Sequence, residues 1–215
     1  MALQGGAQRA LLAALLLHAN RPVTVERLID ELWGPEAGAG AVKRLQVAIS
    51  RLRRALSQLS ADAHGEPALA SHTGGYVPRV APGALDAERF EGLAAEGRRA
   101  LEADRPEIAA DTLHRALALW RGPALADVAY ESFAQAEIAR LEELRLATLE
   151  ARIDADLRLG RRAELVPEIE ALVSAHPSRG AALSFADALD CALVDTTGAG
   201  TSARATRGGE RSVPS

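Results

Sequence analysis

The chain of 215 residues is long enough for one or two domains with a buried core. Apolar residues make up 48% of it and aromatic residues only 3%, with Ala and Leu abundant, so the composition favours helices over sheets. The net charge of −4 is unevenly spread: residues 1–82 carry nine Lys or Arg against six Asp or Glu, and residues 83–215 carry sixteen against twenty-three. This distribution indicates that only the first part approaches a polyanion and that the second part prefers protein partners.

Cysteine content and hydropathy bear on location. The single cysteine, Cys191, excludes a disulfide within the chain and fits a reducing cytoplasm. The apolar run at residues 10–17 is too short to cross a bilayer and is not followed by a cleavage-like site. We therefore expect a cytoplasmic protein with no signal peptide and no membrane span.

Two short helices are predicted first along the chain. Residues 7–19 form one of them, with leucines on a broad buried face, and Asn20 suits the left-handed conformation that ends a helix. Thr24 is expected to cap the second helix, Val25–Trp33, because its hydroxyl can accept a hydrogen bond from the first turn. A Gly-Pro pair then stops that helix.

The stretch Ala41–Leu59 predicts a third helix with two contrasting faces. Apolar residues at helical spacing predict a buried stripe: Val42, Leu45, Ile49, Leu52, Leu56 and Leu59. The other side carries five cations and no carboxylate: Lys43, Arg44, Arg51, Arg53 and Arg54. A solvated helix usually mixes both signs, so this face predicts contact with phosphate. An Arg-rich composition alone can also produce such a face, and the neighbouring elements decide between the two interpretations.

A β-hairpin is predicted soon after the third helix. Residues 61–67 form a polar loop, and Leu69–His72 and residues 76–80 alternate like two strands around a Thr-Gly-Gly turn. Three helices with the cations on the third, followed by a hairpin, are typical of a winged helix-turn-helix. Three wing residues are placed to touch DNA: His72 and Thr73 near its tip, and Arg79 behind it.

On this interpretation the third helix lies in the major groove, and its side chains differ in role. The pool for phosphate contacts and guanine recognition is Lys43, Arg44, Arg51 and Arg54. Gln46 and Ser50 suit base edges, and the methyl groups of Val47 suit the thymine methyl group. Arg53 lies nearer the core boundary, where it contacts DNA or instead pairs with a carboxylate of the second helix.

The second part of the chain predicts helix pairs joined by tight turns. The expected helices are Asp86–Glu102, residues 108–120, residues 133–159 and Arg162–Ala175. Pro106 fits a first helical turn, Ser132 is expected to cap the long helix, and Pro167 costs the last helix a hydrogen bond unless that helix starts late or kinks. Residues 105–117 align with residues 161–173 at an offset of 56 residues. We therefore expect a TPR-like α-helical repeat domain.

Several segments resemble the SARP family, the antibiotic regulatory proteins of actinomycetes. QRALLAALLLHANRPVTVERLIDELWG, LQVAISRLRRAL and GGYVPRV are similar to the family's OmpR-type winged-helix domain. LDAERFEGLAAEGRRAL, ALALWRGPALADV and FAQAEIARLEELRLATLEARIDADLRLGR are similar to its bacterial transcriptional activator domain. The resemblance covers residues 3–177 and implies a mainly α protein, with a winged-helix domain at residues 1–82 and an activator domain at residues 83–177.

The resemblance implies a pathway-specific activator of secondary-metabolite biosynthesis genes. In the family the activator domain is associated with dimer contacts and activation, so the implied partners are promoter DNA with direct repeats, RNA polymerase and a second copy of the chain. The implied location is the nucleoid. We expect no cofactor, no metal and no catalysis, because the five histidines are scattered and no glycine-rich phosphate loop follows a strand.

Two departures from the family pattern motivate a rival hypothesis. An OmpR-type domain has a small sheet before its first helix, whereas this sequence begins almost at that helix. Without that sheet the hairpin loses its usual partner strands and the first helix loses a cover. Either the start codon is misassigned, or the domain is less stable than its relatives. After residue 177 the pattern is lost: residues 178–195 are a divergent possible helix, and residues 196–215 are expected to be disordered, as after a frameshift or truncation. The rival is a helical protein-interaction module without effective DNA binding.

Overall fold

The computed structural model describes residues 5–59 and 68–175, so the predicted loop at 61–67, the possible helix at 178–195 and the tail at 196–215 lie outside the described residues. The α-helices are α1 Gly6–Leu16, α2 Val25–Trp33, α3 Ala41–Leu59, α4 Asp86–Glu102, α5 Pro106–Leu117, α6 Ser132–Arg158 and α7 Arg162–Ala175. The strands are β1 Val23–Thr24, β2 Leu69–His72 and β3 Gly75–Pro78, and a 3-10 helix covers Ala126–Val128. The prediction of a mainly α protein, with a winged helix-turn-helix before a helical repeat domain, is confirmed.

The ends of the first two helices follow local chemistry. The prediction that α1 continues to residue 19 is wrong, because the chain tightens after Leu16 into turns closed by hydrogen bonds between residues three apart. Asn20 has the expected left-handed conformation, with a φ of 62°. Thr24 caps α2 as predicted, since its Oγ1 accepts a hydrogen bond of 3.2 Å from the N–H of Arg27.

Two later helix boundaries differ from the prediction. α5 has Pro106 in its first turn as predicted, where the missing N–H costs nothing, but it ends at Leu117 and not at residue 120. Ser132 does not cap the long helix, because it is already the first helical residue of α6. Glu131 precedes it without a side-chain capping bond.

The winged-helix core is built by all three first helices and the sheet. Its buried residues are Leu11, Ala14, Leu15, Val23, Leu28, Leu45, Ile49, Leu52 and Leu69. The prediction that Val42 belongs to this stripe is wrong, since Val42 is 47% exposed. Ala41 is buried instead. Because Ala41 lies one helical turn before Leu45, the buried face of α3 begins at residue 41.

The wing is the outer part of a three-stranded antiparallel sheet of order β1-β3-β2. β1, the two residues between α1 and α2, pairs with β3, so the hairpin has a partner strand that the sequence analysis did not predict. In this register Thr24 lies opposite Gly75, and a Cβ atom at Gly75 would stand 2.0 Å from the carbonyl oxygen of Val23. Only glycine allows β1 to approach so closely.

The second part of the chain consists of two helix pairs, α4 with α5 and α6 with α7. Leu113 of α5 and Ile169 of α7, which the sequence alignment superposes, are both fully buried. They lie in separate apolar clusters, one on each side of α6. The last helix neither starts late nor ends at Pro167; it begins at Arg162 and runs through the proline.

The two parts of the chain share a small apolar cluster. Ala10 of α1 is buried with Val128 of the 3-10 helix and Ala134 of α6. Leu32 of α2 and Phe133 of α6 pack against the same cluster. The second part of the chain therefore covers a face of α1 that the sheet does not reach. No helix in the described ranges is long and apolar enough to cross a membrane.

Candidate nucleic-acid interface

The outward face of α3 is polar, positively charged and exposed. Its exposed members among the predicted site residues are Lys43, Arg44, Gln46, Val47, Ser50, Arg51 and Arg54. Within the described residues, no carboxylate forms an ion pair with Lys43, Arg51 or Arg54. Val47 is 44% exposed in the middle of this surface. An uncompensated row of cations around a small apolar centre fits phosphate at its edges and a base in the middle.

The opposite face of α3 fixes the helix in the core. Leu45 and Leu52 are fully buried, and Ile49 is nearly so. These three residues lie on successive turns of the helix, so the exposed face has a rigid base. A rigid base is what a reader of base edges needs, because each side chain must begin from a fixed position.

Arg44 differs from the other cations of α3 because it is held by the segment before the helix. Its guanidinium carbon lies 4.9 Å from the centroid of the Trp33 ring, a cation–π distance. Its Nη2 also donates a hydrogen bond to the carbonyl oxygen of Ala37. The structure therefore places Arg44 at the junction of α2 and α3.

Arg53 does not pair with a carboxylate of α2, and that alternative is wrong. Its guanidinium instead contacts the wing: Nε donates to the carbonyl oxygen of Leu69 at 3.1 Å, and Nη2 donates to Oγ of Ser71 at 2.9 Å. Because Arg53 follows the buried Ile49 by one helical turn, its side chain leaves α3 at the core boundary and meets the sheet. A sequence cannot show which element lies beside that boundary.

The wing brings the other predicted residues to an exposed edge. The hairpin turn is Thr73-Gly74, with a φ of 75° at Gly74, and both His72 and Thr73 are exposed there. Nδ1 of His72 lies 3.2 Å from the carbonyl oxygen of Thr73. Arg79 is exposed just after β3, and its N–H donates to the carbonyl oxygen of Ala68 at 2.8 Å.

Both ends of the hairpin are fastened to the helix-turn-helix. The side chain of Asn20 donates to the carbonyl oxygen of Val80 and accepts from its N–H, both at 3.0 Å. The N–H of Val25 donates to the carbonyl oxygen of Gly74 at 2.9 Å. Asn20 was predicted only as a helix terminator, and its second role depends on a partner sixty residues away. Among the described residues, no cluster of three or more metal-ligating side chains is present.

Comparisons with known proteins identify the family of each part of the chain. Residues 5–77 match the family described as transcriptional regulatory protein, C terminal, and residues 85–188 match the bacterial transcriptional activator domain. The chain is 44% identical to the regulatory protein DnrI of Streptomyces peucetius over 79% of this chain and 63% of DnrI. It is 44% identical to the regulatory protein AfsR of Streptomyces coelicolor over 80% of this chain and 16% of AfsR.

A solved structure has the same fold. Mycobacterium tuberculosis EmbR, in complex with a low-affinity phosphopeptide, superposes with a TM-score of 0.77 at 32% identity. The match covers 92% of this chain and 55% of EmbR. This chain thus spans less than two thirds of each of these relatives.

The fold and the exposed cationic helix define a class, the transcriptional regulators in which a winged helix precedes an activator domain. Within that class the chain belongs to the SARP family, as the two matched domains and the similarity to DnrI and AfsR show. The resemblance seen in the sequence is therefore confirmed.

Proposed function

We propose that the protein binds promoter DNA through α3 and its wing and thereby activates transcription. The observation that carries this proposal is the exposed face of α3, whose cations Lys43, Arg51 and Arg54 have no carboxylate partner among the described residues. In this proposal α3 lies in the major groove, and the wing reaches the phosphate backbone or the minor groove beside it. Binding rather than catalysis is the inferred mode of action, since the family is one of regulators.

Individual side chains of α3 and the wing have different proposed contacts with DNA. Arg51 and Arg54, with Lys43, supply phosphate contacts and guanine recognition, while Gln46 and Ser50 bond base edges. Val47 contacts a thymine methyl group. On the wing, His72, Thr73 and Arg79 contact the backbone. Arg44 remains a proposed phosphate contact, at the end of α3 that Trp33 supports.

The target and partners are proposed from the family. The proposed target is a pair of direct repeats at promoters of secondary-metabolite biosynthesis genes, bound by two copies in head-to-tail order. The activator domain, residues 83–177 in our division, supplies dimer contacts and helps to recruit RNA polymerase. The protein would then act at the nucleoid in the cytoplasm.

A salt titration tests the DNA contact. The affinity of the protein for a duplex carrying such repeats is measured by fluorescence anisotropy over a range of salt concentrations. Each phosphate contact contributes about −0.9 to the slope of log K against log salt, so replacing Lys43, Arg51 and Arg54 by Ala together reduces the slope by up to about 3. The matched control replaces three exposed arginines of the second part, Arg99, Arg115 and Arg121.

The control has the same change of net charge but should keep the slope. Equal effects of the two triple variants would overturn the assignment of α3 to the groove. Absence of DNA binding by the unaltered protein would favour the rival hypothesis, a helical protein-interaction module.

A further inference from the structure

Arg53 connects the two elements that are proposed to meet DNA. From α3 its guanidinium donates hydrogen bonds to Leu69 and Ser71 of β2, at 3.1 Å and 2.9 Å. Its guanidinium carbon also lies 5.6 Å from the centroid of the Tyr76 ring on β3. One half-buried side chain of the recognition helix thus contacts both strands of the hairpin.

The hydrogen bond to Leu69 uses an acceptor that the sheet leaves open. β2 is an edge strand, and the carbonyl of Ala68 faces β3 because it accepts from the N–H of Arg79. Neighbouring carbonyls along a strand point in opposite directions, so the carbonyl of Leu69 faces the open edge. Arg53 satisfies that carbonyl and closes this part of the edge.

The geometry requires an arginine. Nε and Nη2 belong to one planar fork, so their two acceptors fix both the position and the orientation of the guanidinium. A lysine keeps the charge but has a single nitrogen and cannot reproduce the fork. Arg51 and Arg54, on either side in sequence, are exposed and form no comparable contact within the described residues.

We propose that Arg53 is a positioning residue for DNA recognition, which fixes the wing against α3 so that both reach the DNA in one geometry. The inference rests on the proposed function, because it assumes that α3 and the wing bind the same duplex. Without the fork the wing would have to be ordered during binding, at a cost in affinity. Arg53 therefore acts through protein contacts and not through a phosphate.

The test compares Arg53→Lys with Arg54→Lys, two variants of equal charge. The probe is a duplex selected from a random pool by the unaltered protein, and hydroxyl-radical footprinting reports protection by α3 and by the wing separately. Arg53→Lys is expected to bind about tenfold more weakly, to lose wing protection and to keep the protection by α3. Arg54→Lys is expected to keep wing protection whatever its affinity.

Two further measurements separate positioning from a direct contact and from a general loss of folding. Arg53→Lys and Arg53→Ala are expected to weaken binding to a similar extent, because both lose the fork, whereas a direct phosphate contact would be largely kept by the charge of lysine. Hydrogen exchange at Tyr76 and Val77 in the free protein is expected to be faster in Arg53→Lys. Ser71→Ala removes one acceptor without touching α3, and should produce the same changes to a smaller extent.

Full wing protection in Arg53→Lys, unchanged exchange in the hairpin, or an affinity of Arg53→Lys close to that of the unaltered protein would each overturn the inference. Failure of the unaltered protein to select any duplex would instead overturn the proposed function. In that case faster exchange of the hairpin in Arg53→Lys would still establish the tie between α3 and the wing.

Discussion

Asp104 and Gly160 occupy the same position in two equivalent turns, one between α4 and α5 and the other between α6 and α7. Both residues are left-handed, with φ values of 53° and 75°. The amide after each donates to the carbonyl five residues earlier, at 2.9 Å and 3.0 Å respectively. The two turns are 56 residues apart, which is also the offset that aligns α5 with α7. One structural unit is therefore repeated: α4 with α5 forms the first copy, and the second half of α6 with α7 forms the second.

The two turns predict different responses to substitution. Gly160→Ala is expected to lower the free energy of unfolding by about 1 kcal/mol, because a Cβ atom is disfavoured at positive φ. Asp104→Gly relieves that strain but adds freedom to the unfolded chain, so its effect should be smaller than about 1 kcal/mol. Denaturant unfolding measures both, and a neutral Gly160→Ala would contradict the prediction.

Close packing of α4 on α5 depends on Gly97. A Cβ atom there would lie 2.4 Å from Cγ of Leu113, which is fully buried and has no room to retreat. We expect Gly97→Ala to lower the free energy of unfolding by about 1–3 kcal/mol. Gly92, on the same helix, has no atom within 4 Å of its added Cβ, so Gly92→Ala should raise stability by up to about 1 kcal/mol. Similar melting shifts for the two variants would argue against this packing.

A buried carboxylate joins the two helix pairs. Asp156 is only 2% exposed and lies within 3.3 Å of His114, 3.2 Å of Arg152 and 2.9 Å of Arg161. Asp156→Asn leaves the buried Arg152 paired with Glu168 of α7 alone and removes the carboxylate partner of Arg161, so we expect a loss of about 1–3 kcal/mol in unfolding free energy. Asp154→Asn breaks an exposed pair on the same helix and should cost less than about 1 kcal/mol. Equal costs would show that the network contributes little.

Glu150 on α6 predicts a pH effect. Burial raises the pKa of its carboxyl above the ordinary value, so protonation favours the folded state. The stabilisation by protonation is present at low pH and is lost as the pH rises through the folded pKa. Glu150→Gln is therefore expected to be more stable than the unaltered protein at pH 7, with an advantage that disappears in acid. Glu96→Gln, at an exposed site on α4, is the control; an advantage at every pH would contradict the assignment.

Two exposed valines on α3 separate base contact from general surface effects. Val47→Ser is expected to lose about 1 kcal/mol of discrimination for thymine at one position and to keep the salt slope. Val42 is similarly exposed but lies about 140° around the helix from Val47. Val42→Ser should leave the sequence preference unchanged. Competition binding with single-base variants of a selected duplex measures both preferences.

Local chemistry in the sequence was enough to predict most helices and the exposed face of α3. The spacing of Leu45, Ile49 and Leu52 identified the buried side, and Thr24 identified the start of α2. Each of these signals acts within a few residues, so no knowledge of distant packing was needed. The exposed cationic face of α3 could be predicted as well, because once the buried side of a helix is known, its opposite side must face the solvent.

The wrong predictions at helix ends, for α1 and for Ser132, concern local geometry, whereas the others depended on contacts between distant parts of the chain. Val42 fits the apolar spacing, but it is exposed and no element of the described ranges buries it. Two residues are too few to identify β1 as a strand until β3 lies beside it. The partner of Arg53 was unknown for the same reason, because only the folded sheet brings β2 to the boundary of α3. The DNA contacts themselves remain predictions.

The small cluster around Ala10 affects how the protein can be divided. Val128 and Ala134 come from the activator part, yet they complete the packing of the first helix of the winged helix. A fragment limited to residues 5–82 would leave that side of α1 in water, so it should be less stable than the same residues in the longer chain. A chimaera that exchanges the second part of the chain between relatives would need side chains that match across this apolar cluster. Without them, the winged-helix domain would pack less tightly or in a different orientation.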